Sequence, residues 1–163
     1  MENGRYGNAN TDFRKLVLEE VPFTMFDGYK FGLTGCGANA LALLTGVHPL
    51  KVLKANKNRN HYSEGFMVRF LRKHGIRAFK VTKCNLTGRT KNTDQSLYGY
   101  IGPNNLLLTC QLLKRNEASW FVYWNGYLYH NFDVERAAFS SLLNFPLINT
   151  YVLHCPKWAK SLS

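Results

Sequence analysis

Acidic side chains are scarce in this sequence. Ten Asp and Glu stand against 21 Lys and Arg in 163 residues, a formal charge of +11. An acidic surface is therefore excluded, and polyanions or a charged assembly become natural neighbours. Long apolar runs are missing as well. No stretch approaches the roughly 20 residues needed to cross a bilayer, and the polar start Met1-Glu2-Asn3-Gly4-Arg5 has no signal-peptide core behind it. The expectation is a protein that neither enters a membrane nor is exported by a cleaved signal. Cysteine is sparse too: Cys36, Cys84, Cys110 and Cys155 lie far apart and form no C-x-x-C pair. That spacing indicates neither a zinc site nor a disulfide framework, fits a reducing compartment, and leaves no metal or cofactor expected. There is no internal repeat, and no nucleic-acid-binding motif accompanies the charge.

What is present suffices for a core. With 45% hydrophobic residues the chain reads as one compact domain, residues 13–163, behind a polar arm, residues 1–12, rich in Gly and Asn. The arm is expected to be flexible or ordered only by a partner. The positive charge concentrates in one stretch: Lys51, Lys54, Lys57, Arg59, Arg69, Arg72, Lys73, Arg77, Lys80, Lys83, Arg89 and Lys91 meet a single acid, Glu64. The first seven of these are candidate binding residues. Two readings stand side by side, a surface for a polyanion or charged assembly and a solvated face that maintains solubility.

Punctuation along the chain suggests helices first and strands afterwards. Phe13 to Glu20 reads as a short helix or strand, and Val21-Pro22-Phe23 as extended chain. Residues 38–44 hold no Gly, Pro or charge and pack Ala and Leu densely, which predicts a buried helix from about Cys36 to before Gly46. Pro49 starts a second helix through about Asn56, and Ser63 caps a third through Lys73, with Phe66, Val68 or Phe70, and Leu71 facing inward. Gly75 stops it, and Ile76 to Lys83 alternates like a strand. Leu106 to Leu113 is a further strand. Ser119 to Trp124 and Tyr127 to Phe132 form a hairpin around Asn125-Gly126, the strongest short-range hairpin signal in the chain. Val134 to Leu143 reads as a short helix and Leu147 to Cys155 as a final strand, while Asn85 to Asn105 is a long surface loop. The fold expected is α+β, with N-terminal helices packed on a C-terminal antiparallel sheet.

Cys36 is the residue that most directly suggests chemistry. Thr34-Gly35-Cys36-Gly37-Ala38-Asn39 places its thiol at a helix N-terminus, where unpaired N–H groups and the helix dipole favour the nucleophilic thiolate. The plainer reading is a small buried hydrophobe. A thiol nucleophile needs a base and a group to orient it. The hairpin offers His130 as base, with Asn131 or Asp133 as orienter; Phe121 falls opposite His130 and Trp120 opposite Asn131, if Asn125-Gly126 is a two-residue turn. A structural histidine is the alternative. Of the aromatic residues crowding this half, most fill core and cross-strand positions; Trp124 and Tyr127, flanking the turn, are the ones expected to face a partner.

Val21-Pro22-Phe23, Gly35-Cys36-Gly37-Ala38-Asn39-Ala40-Leu41-Ala42-Leu43-Leu44, Gly65 through Gly75, and the hairpin Ser119 to Asp133 together resemble the papain-like cysteine peptidases that cut double-glycine leader peptides. The resemblance covers about residues 21–155 and implies a papain-like α+β fold. It also implies a catalytic Cys on the helix, a His on a strand, an Asp or Asn after it, and an upstream Gln at the oxyanion. Only the nucleophile carries over, to Cys36. The Gln falls near Met25 or Phe26, the His at Ser119 and the Asp at His130. Either His130 has been rewired to act on Cys36, or the fold is kept and the chemistry lost; the substitutions favour a degenerate site.

Three functions compete. One is an active thiol hydrolase using Cys36 and His130; another is a silent module binding a peptide or protein assembly; the third is a nucleic-acid-associated basic protein. The short, basic chain is similar to accessory or virion-associated proteins of tailed bacteriophages, which implies a cytoplasmic or virion location and a protein assembly as partner. An oligomer is compatible with this reading.

Overall fold

Gly35 leads into the first helix and Gly46, in the left-handed region at φ 82°, ends it by donating its N–H to Ala42 O. The structure is a computed structural model and describes residues 23–26, 34–80, 106–114, 117–137 and 147–155. Helix α1 (Cys36–Thr45) is buried on all sides from Gly37 to Leu44, as a helix without a polar stripe must be. After it, His48 Nδ1 accepts the Leu50 N–H and Pro49 occupies the first turn of α2 (Pro49–Ala55). Ser63 caps α3 (Glu64–Lys73), its Oγ accepting the Phe66 N–H at 3.1 Å. These three helices match the starts and stops read from the sequence. On α3 the buried residues are Met67, Phe70 and Leu71, with Phe66 and Val68 partly covered; Phe70 and Leu71 face inward as expected, and Met67 joins them.

The strands are β1 (Arg77–Lys80), β2 (Leu106–Lys114), β3 (Glu117–Trp124), β4 (Tyr127–His130), β5 (Asp133–Arg136) and β6 (Leu147–His154). They form one sheet in the order β1-β6-β2-β3-β4-β5, antiparallel throughout. Asn125-Gly126 makes the predicted two-residue hairpin, both residues at positive φ. The helix expected from Val134 is not formed at its start. Residues 133–136 instead pair with β4 across a second two-residue loop, Asn131-Phe132, again with both φ positive, at 56° and 72°. A bulky Phe at positive φ is not a local turn signal, so a strand there was not legible. The elements expected within residues 1–22, 27–33, 81–105 and 138–146 lie outside the described residues.

The helices pack on one face of the sheet. Trp120, Val122 and Trp124 of β3, Leu106, Leu108 and Cys110 of β2, and Tyr151 and Leu153 of β6 join α1, α2 and α3 in one core. Period-two alternation puts Phe121, Tyr123, Leu107, Thr109 and Gln111 on the opposite face, where they too are buried. Trp124 is only 1% exposed, which corrects the expectation that it meets a partner: its parity turns it towards the helices. Glu64, at the start of α3, accepts hydrogen bonds from Tyr151 Oη and from Lys80 Nζ at 3.2 Å, tying the helix to β6 and β1. Burial and the Glu64 carboxylate push the Tyr151 phenol up. Among the described residues, no single helix is long and apolar enough to cross a membrane.

The tightest helix approach is at Gly37. A Cβ there would sit 2.5 Å from Tyr62 Cγ, and Tyr62 is held in place because its carbonyl accepts Trp120 Nε1–H at 3.1 Å. Gly37→Ala is expected to destabilise by about 1–3 kcal/mol despite the better helix propensity of Ala. At Gly65 the added Cβ meets only the flexible end of Arg69, so Gly65→Ala should be neutral or stabilising by up to about 1 kcal/mol. Urea midpoints of the two variants check this pair, and a Gly37→Ala midpoint at or above wild type would show that Tyr62 gives way.

Candidate functional site

Strand β4 ends at His130, one residue short of covering the N–H of Trp120 on β3. Trp120 pairs with Cys110 on its other side, and its N–H instead donates to Cys36 Sγ at 3.3 Å. A thiol at the first residue of α1 therefore completes a sheet edge. The thiol is half-buried at the mouth of the helix–sheet junction.

One turn further along α1 lies Asn39, 1% exposed in an otherwise apolar helix. A buried amide must find partners. Its Oδ1 accepts from Thr34 Oγ1 at 2.9 Å, and its Nδ2 donates to Asn131 Oδ1 at 3.0 Å. Asn131 Nδ2 in turn donates to His130 Nε2 at 3.1 Å. The result is a chain of four side chains from the segment before α1 to the end of β4. Because Nε2 accepts, the His130 proton resides on Nδ1. The loop that carries Asn131 also holds Phe132 at φ 72°, a conformation that costs on the order of 1–3 kcal/mol. The Phe26 ring packs against Phe132 at 5.7 Å and against His48 at 5.3 Å.

Of the residues proposed from sequence, Asn131 is joined to α1 through Asn39, and His130 is joined to Asn131. Val122 pairs with Tyr129, so His130 continues the parity of Phe121, with which it stacks at 4.3 Å between ring centres. Phe121 belongs to the sheet face away from α1. Strand alternation thus turns the imidazole towards the face of Phe121, and no hydrogen bond joins it to the Cys36 thiol among the described residues. Asp133 is exposed and lies across from His130 in the β4–β5 pair. Ser119 is half-buried beside the Trp120 N–H that meets the thiol, and Met25 and Phe26 offer apolar side chains. Cys110 faces the same core as Cys36; burial, then the Cys36 thiol and Glu64, push it up to about 12. Asn39 was missed by sequence reasoning, although a lone amide inside residues 38–44 was the available signal.

Lys51, Lys54, Lys57, Arg59, Arg69, Arg72 and Lys73 are all exposed. Tyr127 is half-buried under Arg136, whose guanidinium lies 5.5 Å from the ring centre and donates to the Tyr127 hydroxyl at 3.1 Å. Among the described residues no three His, Cys, Asp or Glu side chains converge as metal ligands would. No family model matches the chain, and no curated protein matches it.

Burial holds the His130 imidazole below its ordinary value of 6.5, with Asp133 and Glu135 opposing. The folded state thus favours the neutral ring, and the unfolded chain binds more protons once pH falls below 6.5. Stability is expected to fall from 6.5 downward until the folded-state value is passed, with no contribution from this group above 6.5. Protonation also sets an Nε2–H against the Asn131 amide N–H. His130→Gln should flatten that slope; urea midpoints between about pH 5 and pH 7.5 measure it. An unchanged slope would assign the dependence to another histidine.

Proposed function

We propose that the chain is a papain-like scaffold that has lost its peptidase chemistry and serves as an accessory protein holding a peptide or protein partner. The observation that carries this reading is the thiol's hydrogen bond. Cys36 Sγ accepts from a backbone N–H, with no imidazole bonded to it, and His130 is occupied on the other sheet face by Phe121 and Asn131. A cysteine peptidase needs a base to generate the thiolate and to protonate the leaving amine. The positions that the papain-like resemblance assigns to the base and to the oxyanion donor hold Ser119 and Met25 or Phe26. An Ser hydroxyl is too weak a base at neutral pH, and neither Met nor Phe offers an oxyanion a hydrogen bond. The order of elements, from cysteine-opened helix to hairpin, is the feature retained.

The expected result with a peptidyl chloromethyl ketone or iodoacetamide is slow alkylation of Cys36, within about tenfold of glutathione at the same pH. Buried Cys110 should react more slowly still. Cys36→Ala should leave partner binding unchanged, at a stability cost of about 1–3 kcal/mol for the Trp120 N–H that loses its acceptor. Rapid, saturable labelling of Cys36 by the peptidyl probe, abolished in His130→Gln, would establish the thiol hydrolase instead.

A further inference from the structure

The basic stretch is not evenly distributed once folded. Arg69, Arg72 and Lys73 lie on α3 with Phe66 and Phe70, and with Ala55 at the end of α2 they line an open depression of about 550 Å³. A second depression of about 390 Å³ follows at β1, the terminal strand of the sheet. It is lined by Val68, Arg77, Ala78 and Phe79, and again by Arg72. Arg72 therefore joins the two into one surface that runs from α3 round the edge of β1.

Three properties of this surface select its ligand. First, its cations have no acidic partner among the described residues: Glu64, the one acid between Lys51 and Lys80, is taken by Lys80 and Tyr151. Arg69, Arg72, Lys73 and Arg77 form no ion pair among the described residues. Second, one aromatic ring stands open among the charges, beside half-buried Phe66. Phe79 is 50% exposed, a costly position for a large apolar ring, and the Arg77 guanidinium sits 5.6 Å from its centre. Third, the rings are Phe, which offer a π-face without a hydrogen-bonding group and so suit sequence-tolerant stacking. Backbone-tracking cations interleaved with aromatic platforms are the recognition chemistry of unpaired nucleotides. A duplex would present phosphates but no free base face, and an acidic peptide would use the cations but leave Phe79 unrewarded.

We propose that the α3–β1 surface binds single-stranded nucleic acid, with Arg69, Arg72, Lys73 and Arg77 along the phosphates and Phe79 stacked on a base. This surface is separate from the thiol site, so the proposal does not depend on whether Cys36 is active.

Fluorescence anisotropy of the full chain with a labelled oligothymidylate of about 15 nucleotides tests it. Binding should be tighter than to a duplex of equal length, with a log–log salt slope near −3, from four phosphates at about 0.7 each. Phe79→Ala should weaken binding about tenfold with the slope unchanged, and Arg72→Gln should lower the slope by about 0.7. Both side chains are exposed, so both variants should keep the wild-type urea midpoint. Three results would overturn the proposal: no binding at low salt, equal duplex affinity with no effect of Phe79→Ala, or displacement by polyglutamate as effective as by unlabelled oligonucleotide. The last would assign the surface to an acidic protein.

Discussion

Everything in this fold turns on how α1 is fastened to the sheet. A helix that is apolar on all sides gains its stability from burial, about 1.5–3 kcal/mol for each fully covered Leu, yet burial alone does not fix where along a sheet it sits. Two polar contacts supply that register. Cys36 Sγ takes the N–H that β4 leaves open on β3, and Asn39, one turn along, reaches the loop that ends β4. Sliding or rotating the helix by one residue would strand a buried amide and a sheet N–H together, each costing on the order of 1–3 kcal/mol. The core around Leu41, Leu43, Met67 and Leu71 then packs in one arrangement.

The same fastening accounts for the state of the site. In a working thiol enzyme the helix N-terminus faces an imaginable proton path, from sulfur to imidazole to solvent. Here the sulfur accepts a backbone N–H, and the imidazole belongs to a chain with Asn131, Asn39 and Thr34. The four groups share their protons and lone pairs with one another, which rigidifies the junction. Neutral His130 fits this role, since burial disfavours its charged form.

Much of the architecture was legible because the signals were local. Pro49, Ser63 and Gly75 delimit helices by the geometry each residue allows, and Asn125-Gly126 names its own turn. The site was legible in part. Cys36 at the helix start and the pairing of Phe121 with His130 followed from spacing, but which sheet face meets the helix did not, because both faces of β3 are equally apolar in sequence. Trp120-Phe121-Val122-Tyr123-Trp124 carries no polar alternation to read. The second hairpin was hidden for a different reason: Phe132 adopts a backbone conformation that its side chain disfavours, and it is held there by packing against the core and Phe26 beside the amide chain of Asn131.

Strand β6 lies between β1 and β2. It joins Arg77 to His154 at one edge and Leu107 to Val152 at the other, so the helical half and the β2–β5 meander share a sheet only through a segment near the end of the described chain. On a ribosome the meander can form by itself, from neighbours in sequence, while β1 waits for the residues around Thr150 to emerge. The basic α3 and β1 would then spend synthesis beside an incomplete sheet and an RNA-rich surface, until β6 arrives to pair with both β1 and β2.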